Sequence, residues 1–341
     1  MKESQSLHDS DEMEMDPKVS VIIPTKNRAH YLFSAIQSVL RQTFNDFEII
    51  VVDAASIDNT REVVGKFDDK RIRYVRLEKD RGQSASRNIG IRCSRGEFIA
   101  FLDDDDLWTP SKLEKQLRII SKNPKIGLVY TGSLLFEGNV KALGYQVPSI
   151  KGNVFPHIMK MNYIGTCSSV LIRKEFFDKV GLFDENLMGS EDFDLWIRIA
   201  KYYEIDYLSE LSTLYRFHKK RISIDLDRIL KAEKLMFKKY SKELETLRKI
   251  RGFWHYRIGA LYCNSGNMTE GRKEFIKAIN NDPRSVIYHI RLFTYFFGLT
   301  IHETLFALAS SLLPAYIMFQ IGTTDRRTHL YGQLNVVRGN W

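Results

Sequence analysis

The stretch Phe98-Ile99-Ala100-Phe101-Leu102-Asp103-Asp104-Asp105-Asp106-Leu107-Trp108 is an apolar run that ends abruptly in four acids. Such a short run, bounded by polar residues, reads as a strand buried on both faces. Pro110, a residue suited to the first turn of a helix, follows it. Neighbouring carboxylates repel one another, so the four acids are not expected to serve packing. A hard divalent cation, Mg²⁺ or Mn²⁺, would relieve that repulsion and could bridge the phosphates of a substrate. A solvated acidic turn or a helix N-cap is the plain alternative.

The same grammar recurs upstream. Val19-Ser20-Val21-Ile22-Ile23 reads as a buried strand stopped by Pro24, and Phe47-Glu48-Ile49-Ile50-Val51-Val52 as another that ends at Asp53. Ile72-Arg73-Tyr74-Val75 is a third. Between them Tyr31, Ala35, Ile36, Val39 and Leu40 recur at helical spacing, and a helix is expected from about Gln83 to Cys93. Alternating strands and helices predict an α/β fold, a mostly parallel sheet flanked by helices. Ligands gather at the C-terminal strand ends of such sheets, and Pro24, Asp53 and Asp103 all fall there.

After about Ser209 the pattern turns helical. Trp254 to Tyr262, Gly266-Asn267, Phe275, Ala278-Ile279 and Asp282-Pro283 resemble one tetratricopeptide-type helix pair. A single pair cannot bury its own faces, so it is expected to pack on neighbouring helices rather than form a docking array. Ile290 to Ile321 is the most apolar part of the chain, and Thr304 to Gly322 approaches the length of a bilayer span. A spanning helix, an interfacial helix and a buried packing helix are all compatible with it.

The composition, 44% hydrophobic and 27% charged, is that of an ordinary globular protein. Three scattered cysteines, Cys93, Cys167 and Cys263, suit a reducing compartment and have no metal-ligand spacing. Met1 to Asp16 carries six acids against one lysine and lacks the apolar core of a signal peptide, so a disordered tail and a cytoplasmic protein are expected. The net charge of +9 is concentrated: Arg216 to Arg257 holds fourteen Lys/Arg against five Asp/Glu. That surplus is either a solvated helix face or an attraction to anionic lipid headgroups or a phosphate-bearing acceptor. Nucleic acid is not an expected partner, because no recognised binding motif accompanies the charge.

Several segments, in order, resemble the family-2 inverting glycosyltransferases. They are Val19 to Arg28, Ser38 to Thr43, Phe47 to Asp53, Ser84-Ala85-Ser86-Arg87-Asn88-Ile89-Gly90, Gly96 through the acidic run, Gly189-Ser190-Glu191-Asp192-Phe193-Asp194-Leu195-Trp196 and Tyr215-Arg216-Phe217-His218. The resemblance implies a glycosyltransferase A-type fold whose first half binds the nucleotide. It places Pro24 and Thr25 beside the base, Asp53 at the nucleoside, and Arg87 in the donor pocket. Asp103 and Asp104 match positions near the ribose and metal, Asp105 the direct metal ligand, and His218 an additional one. Asp192, with Glu191 as the alternative, matches the base that takes the acceptor's proton. Without the resemblance Glu191 and Asp192 read as first-turn acids favoured by a helix dipole. Likewise Arg87 reads as a surface salt bridge and His218 as an exposed histidine. Trp108 and Trp196 could stack on a sugar, though their spacing suits a core.

One departure stands out. Ala54-Ala55 follows Asp53 where the family usually has a second acid and a glycine, so a uridine donor is not implied. The expected organisation is an acidic tail at 1–16, a catalytic domain at 17–222 and a helical C-terminal region at 223–341. The expected activity is transfer of one sugar from a nucleoside-diphosphate sugar to a hydroxyl of a glycan or lipid-linked acceptor, at the cytoplasmic membrane face or in the cytoplasm. A processive synthase would add spanning helices and a Gln-x-x-Arg-Trp motif, and a sugar nucleotidyltransferase a glycine-rich loop after the first strand. A catalytically silent binding protein would find its support in Ala54-Ala55 alone.

Overall fold

Four strands, three of them buried and the edge strand half-buried, lie side by side and parallel, and their shared ends face one crevice. They are β1 (Val19–Thr25), β2 (Phe47–Asp53), β3 (Ile72–Arg76) and β4 (Phe98–Phe101), in the order β3-β2-β1-β4. The chain is described by a computed structural model over residues 16–138, 141–187, 189–218 and 225–296. The acidic tail through residue 15 and the apolar segment 304–322 lie outside the described residues.

Helices α1 (Ala29–Leu40), α2 (Thr60–Gly65) and α3 (Gly82–Cys93) make the crossovers between these strands. Beyond β4 come the two-residue β5 (Leu107–Trp108), α4 (Lys112–Ile120), the long β6 (Ile126–Glu137) and β7 (Lys141–Gln146), which pairs with β6. Next are β8 (Leu171–Arg173), α5 (Phe176–Val180), α6 (Glu191–Ala200) and β9 (Glu204–Arg216). The nine-stranded sheet continues from β4 as β8-β6-β9-β5. The parallel pattern holds for the first half, whereas β8 runs antiparallel to both β4 and β6. The sheet is therefore mixed, because the chain returns through β8 without a helical crossover.

Two sequence boundaries moved. Pro24 does not stop β1, which continues to Thr25. Ile22 accepts a bond from the Leu102 amide on the β4 side, and Pro24, two residues on, faces that same side beyond the end of β4. Its missing N–H therefore costs no ladder bond. The strand β9 runs past Ser209 to Arg216 because it pairs with β6 on one side and β5 on the other.

Both sheet faces are covered, as the continuous apolar strands require. Val21, Ile23, Ile49 and Val51 pack with Leu32, Ile36 and Val39 of α1 on one face. Ile22, Ile50, Val52 and Phe101 join Ile91 of α3 and Phe193, Trp196 and Ile197 of α6 on the other. Trp108 packs in the first of these cores and Trp196 in the second, and the Trp108 indole donates to the Ser168 carbonyl at 2.7 Å.

The C-terminal helices are α7 (Leu226–Lys239), α8 (Ser241–Thr246), α9 (Arg248–Asn264), α10 (Met268–Asn281) and α11 (Val286–Phe296). The expected hairpin is α9–α10, turning at Gly266 in the left-handed region and capped by Asn267. A Cβ on Gly271 would stand 2.2 Å from Cys263 Sγ, so only glycine lets these helices approach so closely. The helices share the sheet's core: Met236, Leu244 and Trp254 join it, and Trp254 Nε1 donates to the Met159 carbonyl at 2.7 Å. Asp194, fully buried in α6, is held by Arg198, Tyr240 and Lys239, which ties α7 to the helix bearing Asp192.

Candidate active site

At the end of β1 the chain turns through Asn27, a left-handed residue of the type that tolerates that conformation. The Asn27 side chain accepts from the Ile57 amide at 2.7 Å while its own amide donates to Ser56 Oγ at 2.9 Å, lacing the β1 and β2 end loops together. Asp58 serves the start of α1, accepting from the Ala29 amide at 3.1 Å. Asp53 is fully buried, and its carboxylate accepts from the Ser56 amide, the Tyr74 hydroxyl and Arg76 Nη1. Its position is the expected strand end, but three of its roughly four acceptor sites already stabilise the β2–β3 loops. Ala54 is buried beside it and presents only a methyl group, and Ala55 adopts a left-handed φ of 57° where glycine would be unstrained.

The four acids after β4 take four different environments. Asp103 accepts from Arg87 Nη2 at 2.7 Å. Asp104 is buried, accepting from the Thr25 hydroxyl at 2.8 Å and from Arg28 Nη1 at 3.0 Å. Burial pushes its carboxyl up to about 7, against the opposing pull of Arg28. Asp105 Oδ2 lies 2.7 Å from the same Arg28 nitrogen and 2.9 Å from His218 Nε2. Asp106 is fully buried, accepting from Ser168 Oγ at 2.6 Å and from the Arg216 amide at 3.0 Å. The expectation that none of the four serves packing therefore fails at Asp106. Burial raises its carboxyl well above the usual range despite hydrogen bonds to both oxygens, and those bonds fasten the end of β9 to the acidic loop. The Arg216 side chain strengthens that seam through its Nε, which donates to the Asp105 carbonyl at 2.9 Å. As a result His218 is carried onto Asp105, stacked 5.6 Å from the Tyr31 ring. It is not the exposed histidine of the plain reading.

The second half of the site is the turn into α6. Gly189, at φ 113°, places its amide 2.7 Å from Glu191 Oε2, and Glu191 Oε1 meets Arg87 Nη1 at 3.3 Å. Both Glu191 oxygens are thus engaged in holding the loop. Asp192 accepts from the Phe193 amide at 2.6 Å and from Asn162 Nδ2 at 3.3 Å. Burial, then the neighbouring Glu191 charge, raises its carboxyl to about 7. A half-buried carboxyl raised to about 7 suits proton transfer.

Arg87 joins the two halves. It is buried, with Nη2 on Asp103 and Nη1 on Glu191, and its guanidinium lies 5.5 Å from the Phe183 ring centroid. Sequence reasoning named Arg87 but missed its span. It also missed Arg28, Asn162 and Ser168. Arg28 stood within the quoted motif, whereas Asn162 and Ser168 come from an irregular segment with no periodic signal.

Among the described residues no group of three or more His, Cys, Asp or Glu is arranged to hold a metal ion. The pair Asp105 and His218 nonetheless offers an oxygen and a nitrogen donor 2.9 Å apart, and a guanidinium already rests on the same carboxylate oxygen. Mg²⁺ and Mn²⁺ commonly use one or two protein ligands and complete their shell with substrate phosphates and water. The donor set fits such an ion, with Asp105 and His218 as the residues that would hold it. Asp103 is instead engaged by Arg87.

Several known proteins are similar to this chain. Residues 20–181 match the family described as Glycosyl transferase family 2. A glycosyltransferase of Methanocaldococcus jannaschii, itself uncharacterized, is 34% identical over 215 residues, 60% of this chain and 72% of that protein. The UDP-Glc:alpha-D-GlcNAc-diphosphoundecaprenol beta-1,3-glucosyltransferase WfgD of Escherichia coli is 35% identical over 186 residues, 54% of this chain and 71% of its own. An uncharacterized glycosyltransferase of Rickettsia felis is 39% identical over 191 residues, and there the match spans only 30% of the relative's length. Among solved structures, residues 1–349 of S. aureus TarS in complex with UDP-GlcNAc align with TM-score 0.59 at 18% identity, covering 82% of this chain and 92% of that one. The mannosyltransferase PcManGT of Pyrobaculum calidifontis, in complex with GDP-Man and Mn²⁺, aligns with TM-score 0.55 at 17% identity, covering 90% and 84%. With its strand-end acids, its Arg87 bridge and these relatives, the chain belongs to glycosyl transferase family 2.

Proposed function

We propose that this chain transfers one sugar, with inversion, from a nucleoside-diphosphate sugar to a hydroxyl of a glycan or lipid-linked acceptor, assisted by Mg²⁺ or Mn²⁺. The observation that carries the reading is the Arg87 bridge, which brings the Asp103 end of the donor loop and the Asp192 turn into one site. Pro24, Thr25 and Asp53 would receive the nucleoside at the strand ends, with Asp103 and Asp104 near the ribose. Asp105 and His218 would hold the metal, which when bound neutralises charge on the departing diphosphate. Asp192 takes the acceptor hydroxyl's proton as its oxygen attacks the anomeric carbon and the bond to the diphosphate breaks. A single displacement of this kind inverts the anomeric centre and needs no covalent enzyme intermediate.

Ala54 supplies no side-chain polar atom, so the base is left open, and a donor screen tests the reading. UDP, GDP and dTDP are compared by calorimetry with and without Mn²⁺. At least one is expected to bind in a metal-dependent way, and absence of binding by all three removes the enzyme reading. WfgD, whose name specifies a diphosphoundecaprenol-linked acceptor, supports including lipid-linked acceptors in the assay that follows.

A cytoplasmic membrane face suits such an acceptor. Among the described residues no helix is long and apolar enough to cross a membrane. Lys231, Lys234 and Lys238 of α7 outnumber Asp227 in a surface groove of about 380 Å³ also lined by Leu230, Leu235 and Tyr262, a net-basic and apolar mixture suited to an anionic lipid surface. Co-sedimentation with phosphatidylglycerol vesicles at low salt, weakening at high salt, is expected. Equal absence at both salt concentrations removes peripheral attachment.

A further inference from the structure

We infer that Arg28 is the resident counter-ion of the donor site, keeping a divalent ion off Asp105 until a nucleoside diphosphate arrives with it. One nitrogen, Arg28 Nη1, reaches both Asp104 Oδ1 at 3.0 Å and Asp105 Oδ2 at 2.7 Å. The oxygen it occupies on Asp105 is the one facing His218 Nε2, the expected second ligand. A metal taking that lone pair has to displace the guanidinium and then sit beside its charge.

The place of Arg28 in the chain argues for the same role. It is the residue at the N-terminal boundary of α1, where a helix dipole favours anions and disfavours cations. Its own side chain caps nothing there, and Asp58 from the β2 loop serves the Ala29 amide instead. Helix stability therefore gives no reason for an arginine at this position, whereas the acids across the crevice do. The other basic residue of the turn, Lys26, is turned away onto Asp80 at 2.5 Å. Arg28 is the cation that faces Asp104 and Asp105 from this loop.

A diphosphate changes the balance. Its negative oxygens can accept from Arg28 and ligate the metal together, so both cations are then accommodated. The arrangement predicts that metal and nucleotide bind as partners, each weakly alone. This inference rests on the metal-assisted reading above, but its readout is metal binding without any sugar transfer.

The test is Mn²⁺ binding to the full chain without nucleotide, followed by electron paramagnetic resonance and calorimetry. Arg28→Gln is expected to bind Mn²⁺ at least tenfold more tightly than the wild type, and Arg28→Lys, which keeps the charge, to remain near the wild type. Adding Asp105→Asn to Arg28→Gln is expected to abolish the gain. The proposal is overturned if Arg28→Gln binds Mn²⁺ no better than the wild type, or if Arg28→Lys gains as much as Arg28→Gln. Failure here with metal-dependent nucleotide binding intact in the wild type removes the counter-ion role alone. Loss of nucleotide binding as well removes the donor reading with it.

Discussion

Asp192→Asn is expected to lower turnover by about 10²–10⁴-fold, the usual contribution of a positioned general base, with donor affinity nearly unchanged. The amide is close in size and keeps the acceptor oxygen for the Phe193 amide, so the turn into α6 should persist. What it loses is the ability to take a proton. The pH dependence sharpens the test. Burial and the Glu191 charge raise the Asp192 carboxyl to about 7, and a base works only when ionised. The wild-type kcat/KM should therefore climb with pH and level off above about 7. Stability runs the other way. An unfolded aspartate ionises near 3.9, so between there and about 7 the folded state binds the extra proton and loses stability as pH rises. Asp192→Asn removes that loss, and its Tm at pH 8 should match or exceed the wild type's. A variant that keeps full turnover, or a profile flat from pH 5 to 8, would transfer the base role elsewhere. Glu191 is the less suited candidate because Gly189 and Arg87 occupy its oxygens.

The strand ends were legible because apolar runs ending in Pro24, Asp53 and Asp103 have a fixed meaning in a parallel sheet. The parallel half of the sheet followed from the same alternation. The mixed half was not legible: β8, antiparallel to both its neighbours, is three residues long and follows an irregular stretch, so no periodicity marks it. The site divided along a similar line. Residues within short motifs, Asp103 to Asp105 and Glu191-Asp192, could be named from local sequence. Their division of labour could not, since it depends on partners far away in the chain. Asp106 looks like its three neighbours in sequence, and only Ser168 and the Arg216 amide make it a structural anchor. Arg28 reads as an ordinary basic residue near a helix start until Asp104 and Asp105 are seen opposite. Glu191 likewise becomes a loop-holding residue only through Arg87, 104 positions earlier in the chain. Local patterns announce where a ligand is met, and long-range hydrogen bonds decide which acid does what.

Arg87→Met should destabilise the folded state strongly, by about 3–5 kcal/mol, because it breaks a buried ion-pair network from one side. Methionine fills much of the arginine's volume, so the loss is chiefly electrostatic. Asp103 and Glu191 would be left without the cation between them, at side-chain exposures of 20% and 12%. Arg87→Lys keeps the charge, but a single ammonium cannot reproduce the two-armed fork that spans 2.7 Å to Asp103 and 3.3 Å to Glu191. It should fall between the wild type and Arg87→Met. Urea unfolding of the three proteins measures the loss and its ordering. A loss under about 1 kcal/mol for Arg87→Met, the range of an exposed ion pair, would mean that the bridge does not hold the two halves together. A large loss would instead identify Arg87 as the residue by which the donor loop and the turn carrying Asp192 are kept in register. Both donor binding and turnover should then fail in the same variant, unlike Asp192→Asn, where they separate.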